Sequence, residues 1–394
     1  MNTLNTSVPV LVLGGKENSL SIVRHLASHG IRVSASGPTN CWGLYSRHCA
    51  QRFRIPAGTG AAGYWHDLLL AGKRYLDGHM LMPCSDEAIE FIATHHAELA
   101  KRYILDDGQP ALRMALLDKK KTLELAEQAS VPAPRFWSVD KGSDLDAIRE
   151  EITLPAMVKP IHSHKFSKVF GRKLFIVEKD FDELKRCVER AHEHDLEVMV
   201  VEMVPGPDDL LSSYYTYIDG DGHRLFDFTK RIIRRYPVNR GGACYHATEW
   251  LPETAEMGRR FFEGIGFTGL GNIEFKRDLR DGKLKVIEAN ARFTAAQELA
   301  LRAGAPIDLI IYRQLTGQPV PAFRHFREDL YYWYPVSDFL AFLELNRRGE
   351  LSFRDWLRSV ASTERVDPLF RLNDPWPVVG ALEGVVQKLA KARA

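Results

Sequence analysis

Cysteine is scarce and unpatterned in this chain of 394 residues: Cys41, Cys49, Cys84, Cys187 and Cys244 are odd in number and form no C-x-x-C pair. Neither a disulfide framework nor a structural zinc site of familiar spacing follows from them, and they read as reduced thiols. Long hydrophobic runs are missing too. The apolar run Val8–Leu13 has no basic segment before it and is too short for a signal sequence or a membrane span, so a soluble cytoplasmic protein is expected. Charge of one sign is absent as well: the net charge of +2 is spread along the length, which gives no footing for bulk binding to nucleic acid or to a membrane. There is no G-x-G-x-x-G, and the second strand ends in Ser34-Ala35-Ser36-Gly37 without an acid, which argues against a nicotinamide enzyme. No serine or cysteine nucleophile motif, internal repeat or low-complexity tract occurs.

What remains is an ordinary globular composition, 45% apolar and 26% charged, on a length that suits two or three domains. Val8–Leu13 reads as a buried parallel strand that runs into Gly14-Gly15 and an amphipathic helix ending at Gly30. A second strand follows at Ile31–Ala35. Another strand, Met80–Met82, leads to Ser85, placed to cap a helix whose first turn carries Asp86 and Glu87. This is a small α/β unit reaching to about residue 112. A helix in Asp118–Pro134, a strand Leu154–Val158 ending in Lys159-Pro160, and a strand Leu174–Val177 come next. The loop between those strands carries His162, His164, Lys165, Lys168, Arg172 and Lys173, a local anion site or, more plainly, a solvated loop. A helix Asp182–His192, a strand Glu197–Val201 with EMVPGPDD at its end, and strands Tyr214–Ile218 and Leu225–Ile233 complete this part, the last bearing Lys230, Arg231, Arg234 and Arg235. From about residue 320, Trp333, Trp356 and Trp376 punctuate short amphipathic helices, read as a cap without assignable chemistry.

The richest stretch is Glu274–Arg292, EFKRDLRDGKLKVIEANAR. Side chains alternate across a strand, so Glu288, Asn290 and Arg292 share a face, and Asn272, Glu274 and Lys276 form the polar set of the partner strand. A three-residue loop Arg280-Asp281-Gly282, with Gly282 left-handed, sets Glu274 opposite Glu288. Two facing carboxylates repel, a hard dication removes the repulsion, and carboxylate plus amide oxygens suit Mg²⁺. Taken alone, the hairpin is equally a solvated face.

Taken in order, Asp118-Lys119, PAMVKP at Pro155–Pro160, EMVPG at Glu202–Gly206, IEF at Ile273–Phe275 and EANAR at Glu288–Arg292 resemble the ATP-grasp ligases over roughly residues 8–320. The likeness is nearest the branch with D-aspartate ligase and carbamoyl-phosphate-synthase-like carboligases, which share a strand-glycine start like VLVLGG, an element like Ser46-Arg47, and SDE as in Ser85–Glu87. The resemblance implies an α/β chain, α+β in its nucleotide domain: a Rossmann-like pre-ATP-grasp domain over 1–112, an ATP-grasp domain over 113–320 with its lid at about 120–200, and a C-terminal helical extension over 321–394. It implies ATP and Mg²⁺ as cofactors, two ions, with Mn²⁺ able to substitute. Lys119 and Lys159 would contact phosphates, and Glu202, Met203 and Val204 would form the adenine hinge. Asp209, or Asp208 in its place, would meet the ribose, and Lys230 the terminal phosphate. Glu274, Glu288 and Asn290 would be the metal ligands, with Arg292 the catalytic guanidinium. Acceptor contacts would fall on Arg47, Ser85, Asp86, Arg234 and Arg240, with Glu87 an alternative to Asp86; His246 and Glu249 lie near the pocket without an assigned role. The lid loop departs from the family's glycine-rich pattern, having only Gly171. The expected reaction joins a small carboxylate to an amine, both amino-acid-like, through an acyl phosphate, with a homodimer as the assembly to look for. Bicarbonate activation and a nucleotide sensor without turnover are the competing readings.

Overall fold

The computed structural model describes residues 4–72, 74–140, 144–161, 166, 169–172, 174–361 and 364–383. His162, His164, Lys165, Lys168 and Lys173 of the basic loop lie outside the described residues. Among the described residues no helix is long and apolar enough to cross a membrane.

The chain opens as expected. Strand β1 (Val10–Leu13) is wholly buried at the centre of a parallel sheet of order β3-β2-β1-β4, with β2 at Val33–Gly37, β3 at Arg52–Arg54 and β4 at Met80–Pro83. A strand covered on both faces has no polar side to show, which is why VLVL reads without alternation. Gly14 follows β1 at φ +71°, and a Cβ there would stand 2.4 Å from Ser85 Oγ, so only glycine lets the turn pass the capping serine. Ser85 accepts from Ala88 N at 3.3 Å and starts the helix Asp86–Thr94.

A second sheet, in the stretch expected to form the lid, has the order β5-β8-β6-β7, with β5 at Phe136–Ser138, β6 at Ala156–Pro160, β7 at Phe175–Val177 and β8 at Val198–Glu202. The helix Phe181–His192 packs Leu184, Val188 and Ala191 into its core with Val158 and Val200.

The third sheet has seven strands in the order β13-β12-β9-β10-β11-β14-β15. These are β9 (Leu211–Ile218), β10 (Arg224–Tyr236), β11 (Gly242–Thr248), β12 (Gly269–Arg277), β13 (Leu284–Asn290), β14 (Leu330–Trp333) and β15 (Glu364–Val366). One face carries Tyr215, Tyr217, Phe226 and Phe228 into a core shared with Val10, Val12 and Leu299; the other carries Tyr214, Ile273 and Phe275 against Phe261 and Phe262 of the helix Pro252–Gly264. The C-terminal part is helical at Pro335–Arg347 and Phe353–Ala361, and it also supplies two strands, which extend this sheet past β11. Three residues apiece pair in β11–β14 and β14–β15, too short a pattern for alternation to reveal.

The same C-terminal part is pinned to the first sheet's domain. Asp374, fully buried, accepts from Arg24 Nε at 2.8 Å, Ser46 Oγ at 2.7 Å and Arg47 N at 2.9 Å.

Candidate active site

The β12–β13 hairpin delivers its two acids as expected, by a different route. Arg277 pairs with Leu284 and Phe275 with Val286, a register one residue tighter than the three-residue loop requires. A bulge at Ile287 restores it, so Glu274 faces Glu288 and Asn272 faces Asn290. Gly282 has the left-handed φ of +71°. Asn290 Nδ2 donates to Asn272 Oδ1 at 3.3 Å, and Asn272 Nδ2 donates to Tyr214 O at 3.1 Å. That relay engages the nitrogen of the Asn290 amide and not its oxygen.

The acids continue across the sheet as one transverse row. Glu288 pairs with Glu274, Glu274 with Ser213, Ser213 with Lys230, and Lys230 with Thr248. At about 4.8 Å per strand, Lys230 starts roughly 10 Å from Glu274, a gap its four-carbon stem spans. Burial lowers the Lys230 ammonium pKa and the Glu274 carboxylate opposes that. His246, on β11, is buried and packs on Tyr332 with ring centroids 4.6 Å apart. Burial first, and then Lys230, hold its pKa well below the usual histidine value, so it is neutral. Glu249 pairs with Arg231 at 2.6 Å.

Against β13, the second sheet and the helix Lys119–Gln128 close a cleft of about 30 Å³ lined by Asp86, Lys119, Thr122, Lys159, Glu288 and Asn290. Asp118 caps that helix by accepting from Lys120 N at 2.9 Å, which sets Lys119 at its first position. Lys159 is 8% exposed near the end of β6, its pKa brought down to about 8 by burial and then by Lys119, against Glu288. A buried ammonium with a second cation beside it would be stabilised by an anion.

The hinge after β8 is partly committed. Glu202 pairs with Arg280 at 2.7 Å and accepts from Arg135 N at 3.2 Å; the amides of Glu202 and Met203 donate to Arg135 O and Pro155 O. Val204 is buried at the hinge. Asp208 is held by Arg235 at 2.7 Å and by Asn239 N at 3.0 Å, which removes it as the alternative to exposed Asp209. Two residues that the sequence named without a role hold this turn over the sheet. Lys276 Nζ donates to Gly206 O at 2.6 Å, with a pKa brought to about 8 by burial and then by Arg235, and Arg235 grips Asp208. Lys276 belongs to the same alternating set as Glu274, a pattern that could have found it.

Arg292 meets the first domain: its Nε donates to Asp86 Oδ1 at 2.5 Å and Nη1 to Phe293 O at 3.3 Å. Burial works against its charge, and Asp86 outweighs it and raises the pKa. Three expected acceptor contacts lie elsewhere. Arg234 is buried against Asp338 at 2.6 Å and stacks over Tyr245 at 4.4 Å, because a bulge between Ile232 and Arg234 turns it from the face that carries Lys230. Arg47 donates from Nη1 to Asn373 O at 3.2 Å. Arg240 lines a separate cavity of about 190 Å³ with Arg172, Arg190 and Phe170. Ser85 is spent on its helix cap.

No family model matches the chain. A D-aspartate ligase of Enterococcus faecium is 26% identical over 243 residues, 57% of this chain and 56% of that protein. The C-terminal section of a carbamoyl phosphate synthase large chain from Methanopyrus kandleri is 25% identical over 219 residues, 52% of this chain and 38% of that protein. The matches thus span about half, or less, of each relative's own length. Among solved structures, the biotin carboxylase domain dimer of the 2-oxoglutarate carboxylase of Hydrogenobacter thermophilus, in complex with MgADP, ADP and bicarbonate, superposes with a TM-score of 0.63 at 18% identity, covering 82% of this chain and 73% of that one. The chain has the ATP-grasp fold.

Proposed function

We propose that this chain is an ATP-dependent carboxylate-amine ligase, forming an amide or peptide bond through an acyl phosphate and releasing ADP and phosphate. The observation that carries the reading is the transverse row Glu288, Glu274, Ser213, Lys230, whose Glu288 end lines the cleft that also holds Lys119 and Lys159. The similarity to a D-aspartate ligase supports amino-acid-like partners.

The donor set fits magnesium: two opposed carboxylates and the Asn290 amide oxygen, hard ligands with no sulfur or imidazole among them. Mg²⁺ bound by Glu274, Glu288 and Asn290 would neutralise phosphate charge. Lys119 and Lys159 hold the nucleotide's phosphates from the lid side, and the hinge Glu202–Val204 and Asp209 hold adenine and ribose. Lys230, buried and low in pKa, steadies the transferring phosphoryl group as the substrate carboxylate oxygen bonds to phosphorus and the bond to ADP breaks. Arg292 faces the oxyanion that forms when the amine attacks the acyl carbon. Collapse expels phosphate, whose basic oxygen takes the amine proton. No covalent enzyme intermediate is required.

Hydroxylamine trapping tests the reading. With Mg²⁺, ATP and a panel of amino acids, one acid should give a hydroxamate and stoichiometric ADP. ATP turnover driven by bicarbonate alone, or MgATP binding without turnover for any acid, contradicts it. Lys159→Ala should weaken binding of a non-hydrolysable ATP analogue by about tenfold or more, since it withdraws a charged donor from phosphate. An unchanged calorimetric affinity would remove Lys159 from the phosphate site.

A further inference from the structure

Asn18 lies outside the cleft, yet its side chain joins three segments that the chemistry needs in register. It is the second residue of the helix Glu17–Ser28 and is 5% exposed. Its Nδ2 donates to Cys84 O at 2.9 Å and to Phe293 O at 2.8 Å, and its Oδ1 accepts from Lys16 N at 2.9 Å and Ser19 N at 3.0 Å. An asparagine amide has two donor hydrogens and two acceptor lone pairs, and here all four are used on backbone groups. No other side chain of this size offers that set: aspartate sets charge against two carbonyls, and leucine leaves them unpaired.

The receiving atoms give these bonds their meaning. Phe293 O also accepts from Arg292 Nη1 at 3.3 Å, and Cys84 precedes Ser85 and Asp86, where Arg292 Nε is held at 2.5 Å. Asn18 therefore fixes both anchors of one guanidinium, the carbonyl behind it and the carboxylate-bearing turn in front. The glycine turn closes the arrangement from the other side: a Cβ on Gly15 would lie 2.5 Å from Asn18 Oδ1 and 2.5 Å from Cys84 Cβ.

We infer that Asn18 is a positioning residue for Arg292, tying the glycine turn of the first domain to the guanidinium that serves the transferring and acyl groups. The inference rests on the role of Arg292 proposed above. It gives the first domain a part in the chemical step in addition to any part in substrate binding.

Asn18→Asp is the isosteric test, because it keeps both acceptances and withdraws both donations. Turnover number should fall by about ten- to a hundredfold, the scale on which small misplacements act, with the ATP KM within about twofold of wild type. In an Arg292→Lys background the same change should cost nothing further. Crystals of the variant should show the guanidinium withdrawn from Asp86. Wild-type turnover, losses that multiply in the double variant, or an unmoved Arg292 would overturn the inference. Should Asn18→Asp not fold, Asn18→Ala withdraws the same donors, together with the acceptor oxygen, without adding charge and supports the same comparisons. A wild-type protein that binds MgATP but releases no ADP with any acid contradicts the ligase reading instead, and the crystal comparison then decides the positioning by itself.

Discussion

Glu288→Gln should reduce turnover by about a hundredfold or more while leaving the protein folded. Glu288 is exposed and stands directly across from Glu274, so the amide changes charge without opening a cavity. In the metal-free protein the substitution removes a repulsion between facing carboxylates, so the melting temperature should be equal to or slightly above that of wild type. On the proposed mechanism the chemical step responds in the opposite direction, because a ligand to the dication would lose its charge while Lys119, Lys159 and the hinge would remain to hold ATP. Steady-state ADP release at saturating Mg²⁺, beside a thermal melt, checks both halves. Wild-type turnover in this variant would relocate the metal, and joint loss of turnover and melting temperature would make Glu288 structural.

The largest stability loss is expected from Arg234→Ala. The guanidinium makes two bonds to Asp338, at 2.6 and 3.1 Å, and a third to Ser359 at 3.1 Å. Asp338 has no exposure, and its Oδ2 also accepts from Trp333 Nε1 at 3.1 Å and Trp356 Nε1 at 2.9 Å. Without its cation the carboxylate is left buried with only two neutral indole donors, a change that typically costs about 3–5 kcal/mol. Because Asp338 and Trp356 sit on the helices Pro335–Arg347 and Phe353–Ala361, those helices should loosen from β10 and β11 first. Denaturant unfolding measures the loss, and hydrogen exchange in Pro335–Ala361 locates it. Activity per folded molecule should be retained, since Arg234 does not face the cleft. A variant of native stability with weakened substrate binding would return Arg234 to the acceptor site.

That pair also shows where sequence reading stopped. Strict alternation sets Arg234 on the face of Lys230, and one inserted residue in β10 reverses it; a bulge leaves no mark in the identity of its neighbours. The hairpin escaped the same fate by compensation. A loop register one residue off and a bulge at Ile287 cancel, so Glu274 still meets Glu288. The capped helix start at Ser85, the uninterrupted β1 and the glycine turn were legible because each is a local demand of the backbone. The strands β14 and β15 were not, since three- and four-residue segments joining a sheet edge are decided by tertiary contacts. Arg47 and Asp374 are 327 residues apart, and pairing over that distance has no sequence period to announce it. Lys276 and Arg235 were visible as charges, but their grip on Gly206 and Asp208 depends on how the hinge folds back over the sheet.

The most direct test of the central claim is a crystal structure of the protein soaked with a non-hydrolysable ATP analogue and Mg²⁺. The account predicts metal density within about 2.1 Å of oxygens from Glu274, Glu288 and Asn290, with the terminal phosphate between that density and Lys230, and with Lys119 and Lys159 on the phosphates. Nucleotide bound elsewhere, or bound in the cleft with the two glutamates turned from its phosphates, would contradict it.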